Sequence, residues 1–168
     1  MFRPSNATWY LQRSSLGYIA VQLGAATDKP VPGDYNGDGK TEIAVFRPSN
    51  GTWYLSTDPA ANYGAVVFGT VEDKPVAADY DGDGKTDVAV FRPSNGSWYL
   101  LRSLQGFVGV QFGISTDAPT PADYDGDGKA DIAVYRNGVW YLNRSTQGFT
   151  GIAFGTGGDQ PVPNAFVR

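Results

Sequence analysis

The chain contains no histidine and no cysteine. Disulfides, thiolate zinc sites, cysteine nucleophiles and histidine acid–base catalysis are therefore excluded, which removes most common enzyme designs. No run of eighteen apolar residues is present, so no helix is expected to insert into a membrane. A signal peptide is also missing, and a start that breaks directly into a repeat reads as a processed or trimmed chain. No segment has helical periodicity. The 13 Lys and Arg are spread thinly along the chain instead of forming a basic stripe, so nucleic acid is not an expected partner.

What is present is repetition. A unit of about 45 residues recurs along the 168-residue chain, the signature of stacked supersecondary units. With 41% hydrophobic and 14% aromatic residues the chain can bury a core, and its length suits one repeat domain spanning 1–168. The 22 Gly and 11 Pro fall at corresponding places in successive copies, as turns between short strands do. In the copy at 74–113, extended runs at 74–79, 87–92, 97–102 and 107–112, here strands A to D, are separated by an acidic loop, a Pro-Ser-Asn-Gly turn and a Gly turn.

Such a sheet has two faces to cover, and radial stacking covers both. The expected fold is all-β: a β-propeller of four-stranded antiparallel blades, four per chain. Strand C carries Trp9-Tyr10, Trp53-Tyr54, Trp98-Tyr99 and Trp140-Tyr141; strand D ends at Leu23-Gly24, Phe68-Gly69, Phe112-Gly113 and Phe154-Gly155. The blades are placed at 2–24 plus 160–168, 29–69, 74–113 and 118–155, sixteen strands in all if 160–168 supplies a strand A to the first. That strand closes either a four-bladed ring within one chain or, exchanged in a homodimer, an eight-bladed ring from two chains.

Of the 17 acidic residues, 11 sit in three loops between strands A and B. These are Asp34, Asn36, Asp38 and Glu42; Asp79, Asp81, Asp83 and Asp87; and Asp123, Asp125, Asp127 and Asp131. Side-chain oxygens at positions 1, 3, 5 and 9, a carbonyl at position 7 (Lys40, Lys85, Lys129) and water make a hard, flexible oxygen shell that suits Ca²⁺ better than strictly octahedral Mg²⁺. Three Ca²⁺ per chain move the formal charge from -4 to +2, so the acidity is local and chelating. The spacing begins like an EF-hand, but position 12 is Val45, Val90 or Val134 inside a strand instead of a bidentate Glu, which excludes that motif. Asn36 removes one negative charge from the first loop, which is expected to bind more weakly.

These loops, together with Phe68-Gly69 and Phe112-Gly113, resemble FG-GAP or VCBS-type repeats, as in integrin alpha propellers and many secreted bacterial proteins. Leu23 replaces Phe in the first copy, the last copy has no acidic loop, and Phe-Arg-Pro stands where integrins have Gly-Ala-Pro. The resemblance implies an extracellular or cell-surface, calcium-stabilised propeller for adhesion or ligand binding, with calcium opposite the usual ligand face. It names no ligand.

The strand order places Arg47, Asn50, Asp73, Arg92, Asn95 and Asp117 on the face opposite the metals, with Trp53 and Trp98 just inside strand C. Aromatic plates beside Arg, Asn and Asp suit a glycan or protein ligand, as in a lectin; blade packing, Arg–Asp pairing and turn chemistry account for the same residues more simply. The alternative function is a structural or self-assembling unit of a larger secreted protein. An enzyme is not expected, because nearly every candidate acid or base is committed to metal. Asn6, Asn50, Asn95 and Asn143 begin Asn-x-Ser/Thr triplets, three of which coincide with the repeated turn.

Overall fold

Four antiparallel sheets account for every strand among the residues described by the computed structural model, which are 1–58 and 62–163. The first sheet has three strands in the order β1 (Phe2–Arg3), β2 (Thr8–Arg13), β3 (Gly17–Gln22). The second runs β4 (Lys29–Pro30), β5 (Ile43–Arg47), β6 (Thr52–Asp58), β7 (Asn62–Val67). The third runs β8 (Lys74–Pro75), β9 (Val88–Arg92), β10 (Ser97–Arg102), β11 (Gly106–Gln111), and the fourth β12 (Ala118–Pro119), β13 (Ile132–Arg136), β14 (Val139–Arg144), β15 (Gly148–Ala153). Each is an up-and-down meander, as propeller blades are.

The chain divides into two units, Met1–Val71 holding the first two sheets and Glu72–Arg168 the last two. In the first, Trp9, Val21 and Leu23 pack with Ile43 and Val45 of β5. In the second, Phe91, Trp98 and Leu100 pack with Ile132 and Val134 of β13. β5 (Ile-Ala-Val-Phe), β9 (Val-Ala-Val-Phe) and β13 (Ile-Ala-Val-Tyr) are continuous apolar runs buried on both faces, which is why they do not alternate. β11, at a sheet edge, alternates between half-buried and exposed residues instead.

The first strand of each full sheet is shorter than expected: β8 covers two residues of the run 74–79. Its register is nevertheless maintained, since the Val76 amide donates to the Ala89 carbonyl and Ala78 bridges Asp87, the last pair before the acidic loop. Prolines interrupt the ladder without breaking its alignment. At the other end, residues 160–163 form no strand, and 164–168, the rest of the segment expected to complete the first sheet, lie outside the described residues.

The Trp-Tyr and Phe-Gly marks turn out to be one device. The indole N–H groups of Trp9, Trp53, Trp98 and Trp140 donate to the carbonyls of Leu23, Phe68, Phe112 and Phe154, each the residue before the marked glycine. The turn glycine Gly96 sits at φ 62, and a Cβ there would lie 2.2 Å from the Gly113 carbonyl oxygen, so only glycine fits.

One position departs from its repeats at a cost. Thr120 is fully buried with no hydrogen-bond partner for its hydroxyl, where the other copies place Val31 and Val76. Thr120→Val is therefore expected to stabilise the fold by about 1 kcal/mol, read as a higher urea midpoint at unchanged slope; a lower midpoint would contradict it.

Candidate metal centres

Each acidic loop is folded by its own first aspartate. One carboxylate oxygen of Asp34, Asp79 and Asp123 accepts the amides of Gly37, Gly82 and Gly126 at 2.7, 2.7 and 2.6 Å. The other accepts the amides of Gly39, Gly84 and Gly128 at 2.7, 2.8 and 2.9 Å. Both sets of glycines have φ between 80 and 87, so the chain wraps around the carboxylate at positions where a side chain would strain it. The position-7 lysines enter through their amides: Lys40, Lys85 and Lys129 each donate to the position-5 aspartate at 2.9 Å.

A tyrosine that the sequence reading passed over secures each loop to its sheet. The amides of Tyr35, Tyr80 and Tyr124 donate to Glu42, Asp87 and Asp131, while their hydroxyls donate to the carbonyls of Val31, Val76 and Thr120. Burial pushes all three phenols upward, with the facing carboxylate adding to the effect. Their signal was in the sequence, as the residue that follows position 1 in all three loops.

Three carboxylate groups converge in each loop closely enough to hold a cation, with one oxygen from each lying within 4.8 Å of the others. The membership varies: Asp34, Asp38 and Glu42 in the first, Asp79, Asp81 and Asp87 in the second, Asp123, Asp125 and Asp127 in the third. Asn36 instead bonds within its loop, to the Asp38 amide and to Glu42. Asp83 is turned to the Ser103 hydroxyl at 2.7 Å, which holds its carboxyl below the usual range. Asp131 accepts from the Tyr124 and Ser145 amides.

Whether these residues fit a cation can be judged from individual oxygens. Asp81 Oδ1 and Asp125 Oδ1 are buried and have no hydrogen-bond partner. A buried anionic oxygen without a donor costs far more than a satisfied one, and a hard divalent cation satisfies it. Burial raises the Asp87 carboxyl to about 6, helped by repulsion from Asp81 and Asp79; burial also raises Glu42 and Asp131, again with neighbouring carboxylates. The donor set is all oxygen, which suits Ca²⁺ chemistry.

This charge crowding sets a pH dependence. A carboxyl whose folded pKa exceeds its unfolded value makes the native state bind more protons than the unfolded chain between the two values, so stability rises as pH falls through that window. In chelator, the melting midpoint is expected to rise on going from pH 7.5 to pH 5, through the Asp87 value of about 6. A midpoint that falls steadily over that range in chelator would contradict it.

At the opposite end of the sheets, the residues considered for a ligand face have other partners. Trp53 and Trp98 are fully buried, as are Asp73 and Asp117. Arg47, Arg92 and Arg136 fork onto Asp28, Asp73 and Asp117 at 2.6–3.0 Å and lie 4.4–4.8 Å over Tyr54, Tyr99 and Tyr141. Asn50 and Asn95 donate to the Tyr54 and Tyr99 hydroxyls, and Asn6 does the same to Tyr10. The exposed polar surface left there comes from the arginines, the asparagines and the intervening serines.

The profile of the FG-GAP-like repeat matches this chain at residues 34–90 and again at 79–134, so that each match joins one acidic loop to the next. Neither a curated protein nor a solved structure matches it significantly. With acidic loops, strands and Phe-Gly marks recurring in the matched span, the chain belongs to the FG-GAP-like repeat family.

Proposed function

We propose that the chain is a calcium-stabilised β-propeller module for binding or adhesion outside the cell or at its surface, and that it is non-catalytic. The observation that carries this reading is the set of three carboxylate groups, two of them with a buried oxygen that no donor satisfies. Asp34, Asp38 and Glu42, then Asp79, Asp81 and Asp87, then Asp123, Asp125 and Asp127 are the side chains that would hold the ions, with Asn36, Asp83, Asp131 and the carbonyls of Lys40, Lys85 and Lys129 completing the shells. Bound calcium neutralises the loops and supplies rigidity rather than reactivity. The sheets act as blades, closing as a ring of four, or of eight with a second copy.

Repeated arginine and asparagine turns favour a glycan or protein ligand held through several weak contacts. A glycan and matrix-protein array probed with and without calcium tests this; no binding in either condition would leave the module without a ligand role. Metal binding is tested separately by calorimetric titration with calcium, where three equivalents are expected and a flat titration sinks the reading.

A second reading, a self-assembling structural unit, is favoured by two half-built ion pairs. Arg3 lies 4.4 Å over Tyr10, as Arg47 does over Tyr54, yet pairs with no carboxylate among the described residues. Asp159 accepts the Thr156 amide as Asp117 accepts that of Ile114, yet pairs with no guanidinium among them. A second copy supplies both missing halves in this reading. Light scattering across a concentration series tests it, and a mass that stays at one chain throughout would overturn it.

A further inference from the structure

The second and third carboxylate groups share a feature that the first does not show among the described residues. Asp81 Oδ2 accepts the backbone amides of Leu104 and Gln105, both at 2.9 Å, although these residues lie in the turn between β10 and β11. Asp125 Oδ2 accepts the Thr146 amide at 3.0 Å, the Thr146 hydroxyl at 2.6 Å and the Gln147 amide at 3.1 Å, all from the turn between β14 and β15. In both cases the other oxygen, Oδ1, is the buried one without a partner. Ser103 and Ser145 complete the arrangement, their hydroxyls donating to Asp83 and Asp127 and their amides to Asp87 and Asp131.

The sequence of the first loop and of its corresponding turn differs at both places. Position 3 is Asn36, and the stretch that corresponds to these turns reads Asp-Pro-Ala-Ala at 58–61, with neither a hydroxyl nor, at Pro59, an amide hydrogen. In sequence, a hydroxyl-bearing turn therefore accompanies a carboxylate at position 3, and a proline-containing stretch without hydroxyls accompanies Asn36.

We propose that the Ser-Leu-Gln turn at 103–105 and the Ser-Thr-Gln turn at 145–147 are positioning elements of the second and third metal centres. Each fixes one oxygen of the position-3 aspartate and thereby turns the other to the cation. The physical reason is orientation: a carboxylate anchored through one oxygen loses its rotational freedom before the ion arrives, and its negative charge is partly balanced by donors that do not compete for the free lone pairs. Calcium then joins the acidic loop to the distant turn, so that both hairpins of a sheet are fastened at one end.

The inference rests on calcium being the bound ion, and its test separates the two. Terbium luminescence and calcium calorimetry on the wild-type chain establish whether any metal binds; absence of binding there defeats the calcium reading itself. If metal binds, Thr146→Pro, which removes the amide and the hydroxyl together, is expected to weaken the third site roughly 10- to 100-fold while leaving the second unchanged. Thr146→Ala is expected to give a smaller loss and Thr146→Ser wild-type affinity. Melting of each variant in chelator reports simple structural damage, which lowers that midpoint without selecting one site. Hydrogen exchange supplies an independent readout: calcium is expected to slow exchange of the Thr146 and Gln147 amides. Equal affinity at the third site in all variants, together with amide exchange indifferent to calcium, would overturn the proposal.

Discussion

Chelator-treated protein is expected to gain roughly 15–30 °C in melting midpoint when calcium is added to about a hundred times its dissociation constant. The size follows from linkage: a ligand that binds only the folded chain at that excess adds about 2.7 kcal/mol per site, so three sites add about 8 kcal/mol. For a chain of this length each kcal/mol moves the midpoint by about 2–4 °C. The structure adds the reason that the metal-free state is poor. In every loop three carboxylates lie within 4.8 Å of each other, and the Asp87 carboxyl is already raised to about 6 by burial and by its neighbours. The first loop, where Asn36 removes one negative charge and bonds to the Asp38 amide and Glu42, is expected to empty first as calcium is withdrawn. Magnesium at the same concentration is expected to give a smaller rise, since it gives up its water reluctantly to a flexible shell. A melting curve indifferent to both calcium and chelator would overturn the calcium assignment.

The second large effect lies at the other end of the sheets. Arg136→Ala is expected to cost about 3–5 kcal/mol, because it leaves a buried carboxylate without its counter-charge. The Asp117 side chain has no exposure, whereas Arg136 retains 29%. That difference makes the pair asymmetric. Removing the arginine strands a charge that cannot reach water. Replacing the aspartate by asparagine leaves a guanidinium that still rests 4.8 Å over the Tyr141 ring and can hydrate. The amide side chain also keeps an oxygen for the Ile114 N–H, which donates to Asp117 at 2.9 Å. Asp117→Asn is therefore expected to cost about 1–2 kcal/mol. Urea unfolding of the two variants measures the difference; an Arg136→Ala midpoint at or above that of Asp117→Asn would contradict it.

Much of the fold is legible in the sequence because its determinants are local. The Asp-x-Asp-x-Asp-Gly spacing wraps the chain around its first carboxylate through amides three and five residues ahead, an arrangement contained within each loop. The Pro-Ser-Asn-Gly turn is equally local, with Asn95 capping the Ser97 amide and Gly96 taking a left-handed φ of 62. The continuous apolar runs of β9 and β13 announce strands buried on both faces. What was harder to see involved partners far along the chain. The pairing of each strand-C tryptophan with the carbonyl before the Phe-Gly glycine spans 14 or 15 residues, although both marks were plain. The tyrosine that follows the first aspartate of each loop recurs as faithfully as the acids, and its role emerges only when its hydroxyl is seen on the strand carbonyl behind it.

By itself the sequence determined the repeat, the four sheets' turns, the three acidic loops and the exclusion of an EF-hand, since each depends on spacing within a few residues of backbone. Tertiary structure alone decided which three carboxylates of each loop converge, which oxygens remain without a donor, and that Trp53, Trp98, Asp73 and Asp117 are turned inward. The physical reason is that backbone path follows from local conformational preference. The direction and solvation of a side chain depend on whatever the fold brings beside it, as turns 23 residues beyond Asp81 and 21 beyond Asp125 bring their amides.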